Sequence, residues 1–192
     1  KFNSEILLEE HGPDTKVTLR ARMATREERD AVIKFGANTG AQQTLARMAA
    51  HVEGSEPELL ITRSFDAPRA LVWTAFTDAR HLMKWWGPKG VTMQVANMDL
   101  RPGGRFHYSY TGPDGNPQWG LFEYRDVSPT ERLVFTNSFS NEAGEVQRAP
   151  FNPDWPLKLI NVWSFEEHAG KTTLTGRGRV DNGTDAERAL FG

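Results

Sequence analysis

The five histidines, His11, His51, His81, His107 and His168, are the first residues to test for catalysis or metal binding. They are scattered, none stands four residues from another, and no H-E-x-x-H pattern occurs. Cysteine is absent, which removes disulfides, thiolate metal sites and a thiol nucleophile together. There is no G-x-S-x-G elbow and no Walker A loop, and Pro102-Gly103-Gly104 reads as a turn into a strand rather than a phosphate cradle. Glu166 and Glu167 are adjacent in a strand pattern, so they point to opposite faces and cannot act as a carboxylate pair. Arg177 and Arg179 alternate with Gly176 and Gly178 and share one face. A solvated outer surface is favoured there over an anion site. No catalytic residue, metal or cofactor is assigned.

The unusual chemistry is aromatic: six Trp, eleven Phe and three Tyr. Alternation along residues 105–110 places Phe106, Tyr108 and Tyr110 on one face and Arg105, His107 and Ser109 on the other. Leu133, Phe135, Asn137 and Phe139 share a face, as do Leu159, Asn161, Trp163 and Phe165. Ring-rich faces carrying an occasional amide describe an apolar pocket with orienting polar groups, and equally an ordinary core with satisfied amides. Trp85-Trp86-Gly87-Pro88 is either a ligand lip, or one indole under the sheet with the other over an edge. With Trp73 from the preceding helix, the candidate ligand-binding set is Trp73, Trp85, Trp86, Phe106, Tyr108, Tyr110, Phe135, Asn137, Phe139, Asn161, Trp163 and Phe165.

These side chains need a scaffold, and the punctuation of the chain supplies one. Strand patterns cover 58–65, 91–100, 105–111, 118–127, 132–139, 157–166 and 172–180, separated by Gly, Pro, Asn and Asp turns. Asp114-Gly115-Asn116-Pro117 and Asn141-Glu142-Ala143-Gly144 mark hairpin tips. Asp66 reads as an N-cap with Pro68 in the first turn of a helix burying Leu71, Val72, Ala75 and Phe76, and a second short helix spans 78–85. The result is an α+β antiparallel meander.

A repeat adds a second layer. Glu9-Glu10-His11 recurs as Glu166-Glu167-His168, Val17-Thr18 as Leu174-Thr175, and Arg20 and Arg22 as Arg177 and Arg179. Thr25-x-x-Glu28-Arg29 then matches Thr184-x-x-Glu187-Arg188, both capping boxes. The expected organisation is the end of one domain in residues 1–54, two strands and one long helix over 25–52. Residues 58–192 form a second domain lacking most of its terminal helix. Val32, Phe35, Leu45, Met48 and Val52 form the buried stripe of that helix, and Gly36 and Gly40 either leave room for a ligand beneath it or, as the plainer reading expects, allow close packing against a sheet. The link 54–57 reaches only about 14 Å, so exchange of this helix between two chains, a domain-swapped dimer, is expected.

Lys plus Arg number 23 and Asp plus Glu 25, a net charge of −2, which argues against a nucleic-acid surface. No run approaches a membrane span and no signal-peptide pattern opens the chain, so a soluble cytoplasmic protein is expected.

Trp85-Trp86-Gly87-Pro88, Met98-Asp99-Leu100-Arg101-Pro102-Gly103-Gly104-Arg105-Phe106, Arg132-Leu133-Val134-Phe135-Thr136, Phe151-x-Pro153-x-Trp155-Pro156 and Phe165-Glu166-Glu167 occur in that order. Together they resemble the bacterial homologues of the activator of heat-shock protein 90 ATPase, in the START-like (SRPBCC) superfamily. The resemblance implies a helix-grip fold, a curved antiparallel sheet around a long C-terminal helix, with the N-terminal segment as a partial second copy. It implies three functions. The first is non-enzymatic binding of a small hydrophobic or aromatic molecule between sheet and helix. The second is stimulation of a chaperone ATPase, with a chaperone as partner. The third is a cyclase or dehydratase using groups such as Tyr108, His107 or Asn137. Binding is the reading favoured over catalysis.

Overall fold

The structure is a computed structural model that describes residues 3–53, 58–112 and 115–191. The link 54–57 and Asp114 of the first hairpin tip therefore lie outside the described residues. The chain divides into two units, 1–46 and 47–192.

In the first unit, β1 (Asn3–His11) and β2 (Asp14–Arg22) form an antiparallel hairpin around Gly12-Pro13. Ile6 pairs with Leu19 and Leu8 with Val17 on one face. The other face carries the ion pairs Glu9–Lys16 at 3.3 Å and Glu5–Arg20 at 3.6 Å. The Thr25 hydroxyl accepts from the Glu28 N–H at 3.1 Å, and the Glu28 carboxylate accepts from the Ala24 N–H at 3.1 Å. This caps α1 (Arg26–Lys34).

The expected continuous helix over 25–52 is not formed. The chain leaves α1 at Phe35 and Gly36 and begins again as α2 (Ala37–Glu53). Gly36 has φ 101°, a left-handed conformation that a glycine adopts without a Cβ penalty and that commonly ends a helix. Among the described residues nothing lies within 4 Å of a Cβ placed at Gly36 or Gly40. Phe35, assigned to a buried stripe, is 93% exposed.

The second unit runs β3 (Leu59–Phe65), α3 (Arg69–Thr77), α4 (Ala79–Trp85), β4 (Thr92–Met98), β5 (Arg105–Thr111), β6 (Pro117–Ser128), β7 (Arg132–Ser140), β8 (Val146–Gln147), β9 (Leu159–His168), β10 (Lys171–Val180) and α5 (Asp185–Phe191). These strands form one open antiparallel sheet, ordered β3-β10-β9-β7-β6-β5-β4, with β8 on the end of β7.

Local chemistry explains the connections. Pro68, not Asp66, occupies the N-cap of α3, and it offers no side-chain acceptor. Glu167 supplies one from β9, accepting from the Arg69 N–H at 2.7 Å, while Asp66 pairs with Lys171 at 3.3 Å. Asp78 caps α4 through the Arg80 N–H at 2.8 Å, and the hydrogen-bonded Arg80 side chain holds its carboxyl well below the usual carboxylate range. The corner at 99–104 is structural: the Gly103 N–H donates to the Tyr124 carbonyl, and the Tyr124 N–H donates to that of Gly104. A Cβ at Gly104 would lie 2.1 Å from the Asp99 carbonyl oxygen.

The two hairpins share one register. His11 faces Asp14 across a two-residue turn and His168 faces Lys171 across another, each 157 positions apart in the chain. The second turn, Ala169-Gly170, has φ 50° and 74°, as a two-residue hairpin with native twist demands. Beyond it Thr184 and Glu187 cap α5 reciprocally, at 2.7 and 3.2 Å.

Candidate functional site

Register decides which side chains share the inner face of the sheet. Phe106 is opposite Phe122, Tyr108 opposite Gly120, Tyr124 opposite Phe135, and Phe135 opposite Asn161. Trp163 is opposite Leu133 and Gly176, and Phe165 opposite Leu174. The twelve candidate residues therefore lie on or against one face, but in two different settings.

The first setting is filled. Phe106 stacks on Tyr108 at 4.8 Å and Phe122 on Phe135 at 4.3 Å, and all four are buried. Trp86 lies over them, 5.2 Å from Phe122 and 6.3 Å from Tyr108. Burial pushes the Tyr108 phenol up to about 12, and the neighbouring Trp86 indole offsets only part of that rise. Gly120 makes room for this ring, since a Cβ there would stand 2.4 Å from Tyr108 Cζ. Trp73 and Phe165, buried and edge to face at 5.4 Å, close the other end. Tyr110 continues the stack at 6.5 Å and is half-buried.

The second setting is open. A groove of about 300 Å³ is lined by Phe65, Ala67, Leu71, Val72, Ala75, Phe76 and Trp85, all apolar. A second concavity of about 100 Å³ is lined by Leu59, Ile61, Asn161, Trp163, Leu174, Gly176, Arg177 and Gly178. Phe76 reaches both regions, 4.6 Å from Trp85 and 4.8 Å from Trp163. The adjacent tryptophans divide: Trp86 packs into the core, while Trp85 covers an edge, 41% exposed, its indole N–H donating to the Ala75 carbonyl at 3.0 Å. Leu71, assigned to the buried stripe of its helix, is 55% exposed and faces the groove.

Asn161 borders the smaller concavity, its amide donating to the Leu159 carbonyl at 3.3 Å. Asn137 and Phe139 are half-buried further along β7, where Phe139 begins a chain of ring contacts through Phe151 and Trp155 to Phe191 of α5. Phe191 in turn approaches the bare Gly178. Glu187 of α5, bonded first to Arg148, is held below the usual carboxylate range.

Sequence reasoning missed Phe65, Ala67, Leu59 and Ile61 as lining residues. Two signals marked them: the alternation of β3, and the paired glycines of β10 that leave its inner face bare. On the outer face His107 stacks on Trp119 at 4.8 Å, and its Nε2 bonds the Asn141 carbonyl at 3.1 Å. His107 is thus part of the packing that holds the 141–144 turn. Arg177 pairs with Glu58 at 2.8 Å, as a solvated outer face requires. Among the described residues no group of three His, Cys, Asp or Glu could hold a metal, and no helix is long and apolar enough to cross a membrane.

Comparison with known proteins places this geometry. A solved structure from Mycobacterium smegmatis is 36% identical, covering 70% of this chain and 78% of its own, with a TM-score of 0.56. One from Arthrobacter aurescens is 25% identical over 69% of this chain and 72% of its own, with a TM-score of 0.59. A third, from Staphylococcus epidermidis, is 23% identical and shares the fold, at a TM-score of 0.58 over 71% and 79%. Comparison with curated proteins gives no match. The α+β sheet is that of START-like domains, an architecture that binds ligands in general. The model of one family matches residues 66–189, and the chain belongs to that family, the Activator of Hsp90 ATPase homolog 1-like proteins.

Proposed function

We propose that the chain is a non-enzymatic binding module that takes a small hydrophobic or aromatic molecule on the inner face of its sheet. The observation that carries this reading is the groove of about 300 Å³ beside α3, lined entirely by apolar side chains and continuous through Phe76 with the ring cluster. An apolar concavity on a rigid, pre-packed wall binds rings by excluding water, at little cost in ordering. The packed half supplies the wall and the open half the site. Titration with phenylnaphthylamine, a neutral ring probe, tests it. Saturable micromolar binding with quenching of tryptophan emission is expected, and Leu71→Glu abolishes it. Equal binding by that variant removes the groove as the site, and the lack of saturable binding removes the reading.

A second reading concerns partners. Residues 3–53 repeat the β9–β10–α5 arrangement with the same hairpin register and the same Thr–Glu cap, which favours a partial second copy of the domain. At the repeat offset, the inner-face positions of β9 and β10 correspond to Ile6, Leu8 and Leu19, which are 66%, 69% and 42% exposed. That apolar face is the surface through which two chains would exchange elements. Light scattering is expected to give twice the 21.6 kDa chain mass. A monomer at all concentrations removes this reading.

A further inference from the structure

The groove and the smaller concavity lie along one edge strand, and the residue between them is charged. On β3, Ile61 lines the smaller concavity and Phe65 the groove. Arg63 stands midway, so the pleat gives it the same face. Register agrees: Arg63 is opposite Leu174, a buried core residue, between the pairs Ile61–Gly176 and Phe65–Thr172. Arg63 is exposed, and among the described residues it forms no ion pair. Four nearby carboxylates are already engaged. Glu58 holds Arg177, Asp66 holds Lys171, Glu167 accepts from the Arg69 N–H, and Glu131 faces the Arg69 guanidinium at 3.8 Å.

An arginine on an apolar wall lays its stem along that wall and keeps its planar guanidinium at the rim. There it meets a carboxylate, sulfonate or phosphate in a two-pronged hydrogen bond, which a neutral ring cannot form. We propose that Arg63 is the anion-recognition residue of this site, and that the ligand is an organic acid with an apolar ring or chain body. This inference rests on the binding reading above, and it names the chemical class that reading leaves open. The apolar body lies on Leu71, Phe76 and Trp85, and the acid group points along β3 toward Arg63.

Two fluorescent probes of one ring skeleton test it: neutral phenylnaphthylamine and its acidic counterpart, anilinonaphthalene sulfonate. The sulfonate is expected to bind about fivefold more tightly at low salt, the scale of an ion pair at a solvated rim. That advantage should fade in high salt, where charges at the rim are screened. Arg63→Gln removes the advantage and leaves the neutral probe unchanged, Arg63→Lys keeps part of it, and an unchanged melting temperature shows that the fold is intact. Equal affinities of the two probes for the unsubstituted chain, or an Arg63→Gln variant that still prefers the sulfonate, overturn the inference while leaving the binding reading in place. Failure of both probes to bind overturns both.

Discussion

The two halves of the sheet's inner face have the same alternation, yet one is filled with rings and the other is left as an open groove. In the β5–β6–β7 half, Trp86 enters from the end of α4 onto Tyr108 and Phe122, which themselves stack on Phe106 and Phe135. In the β3–β10–β9 half, Gly176 and Gly178 present bare backbone, and Ile61 and Leu71 remain 50% and 55% exposed. The difference lies in what covers each strand. A strand pattern prescribes an apolar face, but burial of that face requires a second layer.

The comparison can be broken most directly by removing one apolar side chain from each half. Phe135→Ala should cost about 4 kcal/mol in denaturant unfolding, because it empties a site with three ring neighbours. Leu71→Ala in the groove should cost about 0.5 kcal/mol or less, since that side chain is already half in water. Similar losses would mean that the two halves are equally packed.

Overpacking sharpens the same contrast with a smaller effect. Gly120→Ala drives a methyl into the Tyr108 ring, which Phe106 and Phe122 prevent from moving, and should cost about 2 kcal/mol. At Gly176 the new Cβ would meet only the edge of Trp163, 3.1 Å from its indole nitrogen, and that ring borders open space. Gly176→Ala should therefore cost less, and a larger loss there than at Gly120 would reverse the assignment of core and site.

Titration separates the halves at the two ends of the pH scale. Burial raises the Tyr108 phenol from 10.0 to about 12, so its contribution is complete below pH 10 and is lost as pH rises through the folded value. Tyrosinate absorbance should therefore appear together with unfolding between those limits, and Tyr108→Phe should resist alkali better. Glu187 is shifted the other way, below its ordinary 4.5, by its bond to Arg148. Its contribution is present above that value and disappears as pH falls toward the lowered one, so the melting temperature should drop less on acidification in Glu187→Gln. This is the smallest of the expected effects, because the Arg148 side chain is half exposed and water screens the pair.

The strands were legible because each is bounded by residues that stop it, and the alternation along β5, β7 and β9 put the candidate residues on one face as read. The corner at 99–104 was legible as a turn for a similar reason, since Pro102 has a fixed φ and Gly103 takes φ 80°, which other residues resist. The break at Gly36 was not. A helical stripe continues through it, and a single glycine inside such a pattern costs only about 1 kcal/mol, so nothing local distinguishes tolerance from termination. The cap of α3 was misread because its acceptor, Glu167, comes from a strand 98 residues away.

What the sequence determined by itself is therefore the long strands of the sheet, their faces and the turns that bound them. All of these depend on neighbours within a few positions, and the repeated Thr–Glu cap and the two-residue turns belong to the same class. What only the tertiary structure decided is which rings touch each other and which face a groove. That depends on how Trp86 and Phe76 enter from helices onto strands remote in sequence. Local alternation can prescribe an apolar face, but only three-dimensional packing decides whether another side chain or a ligand fills the space above it.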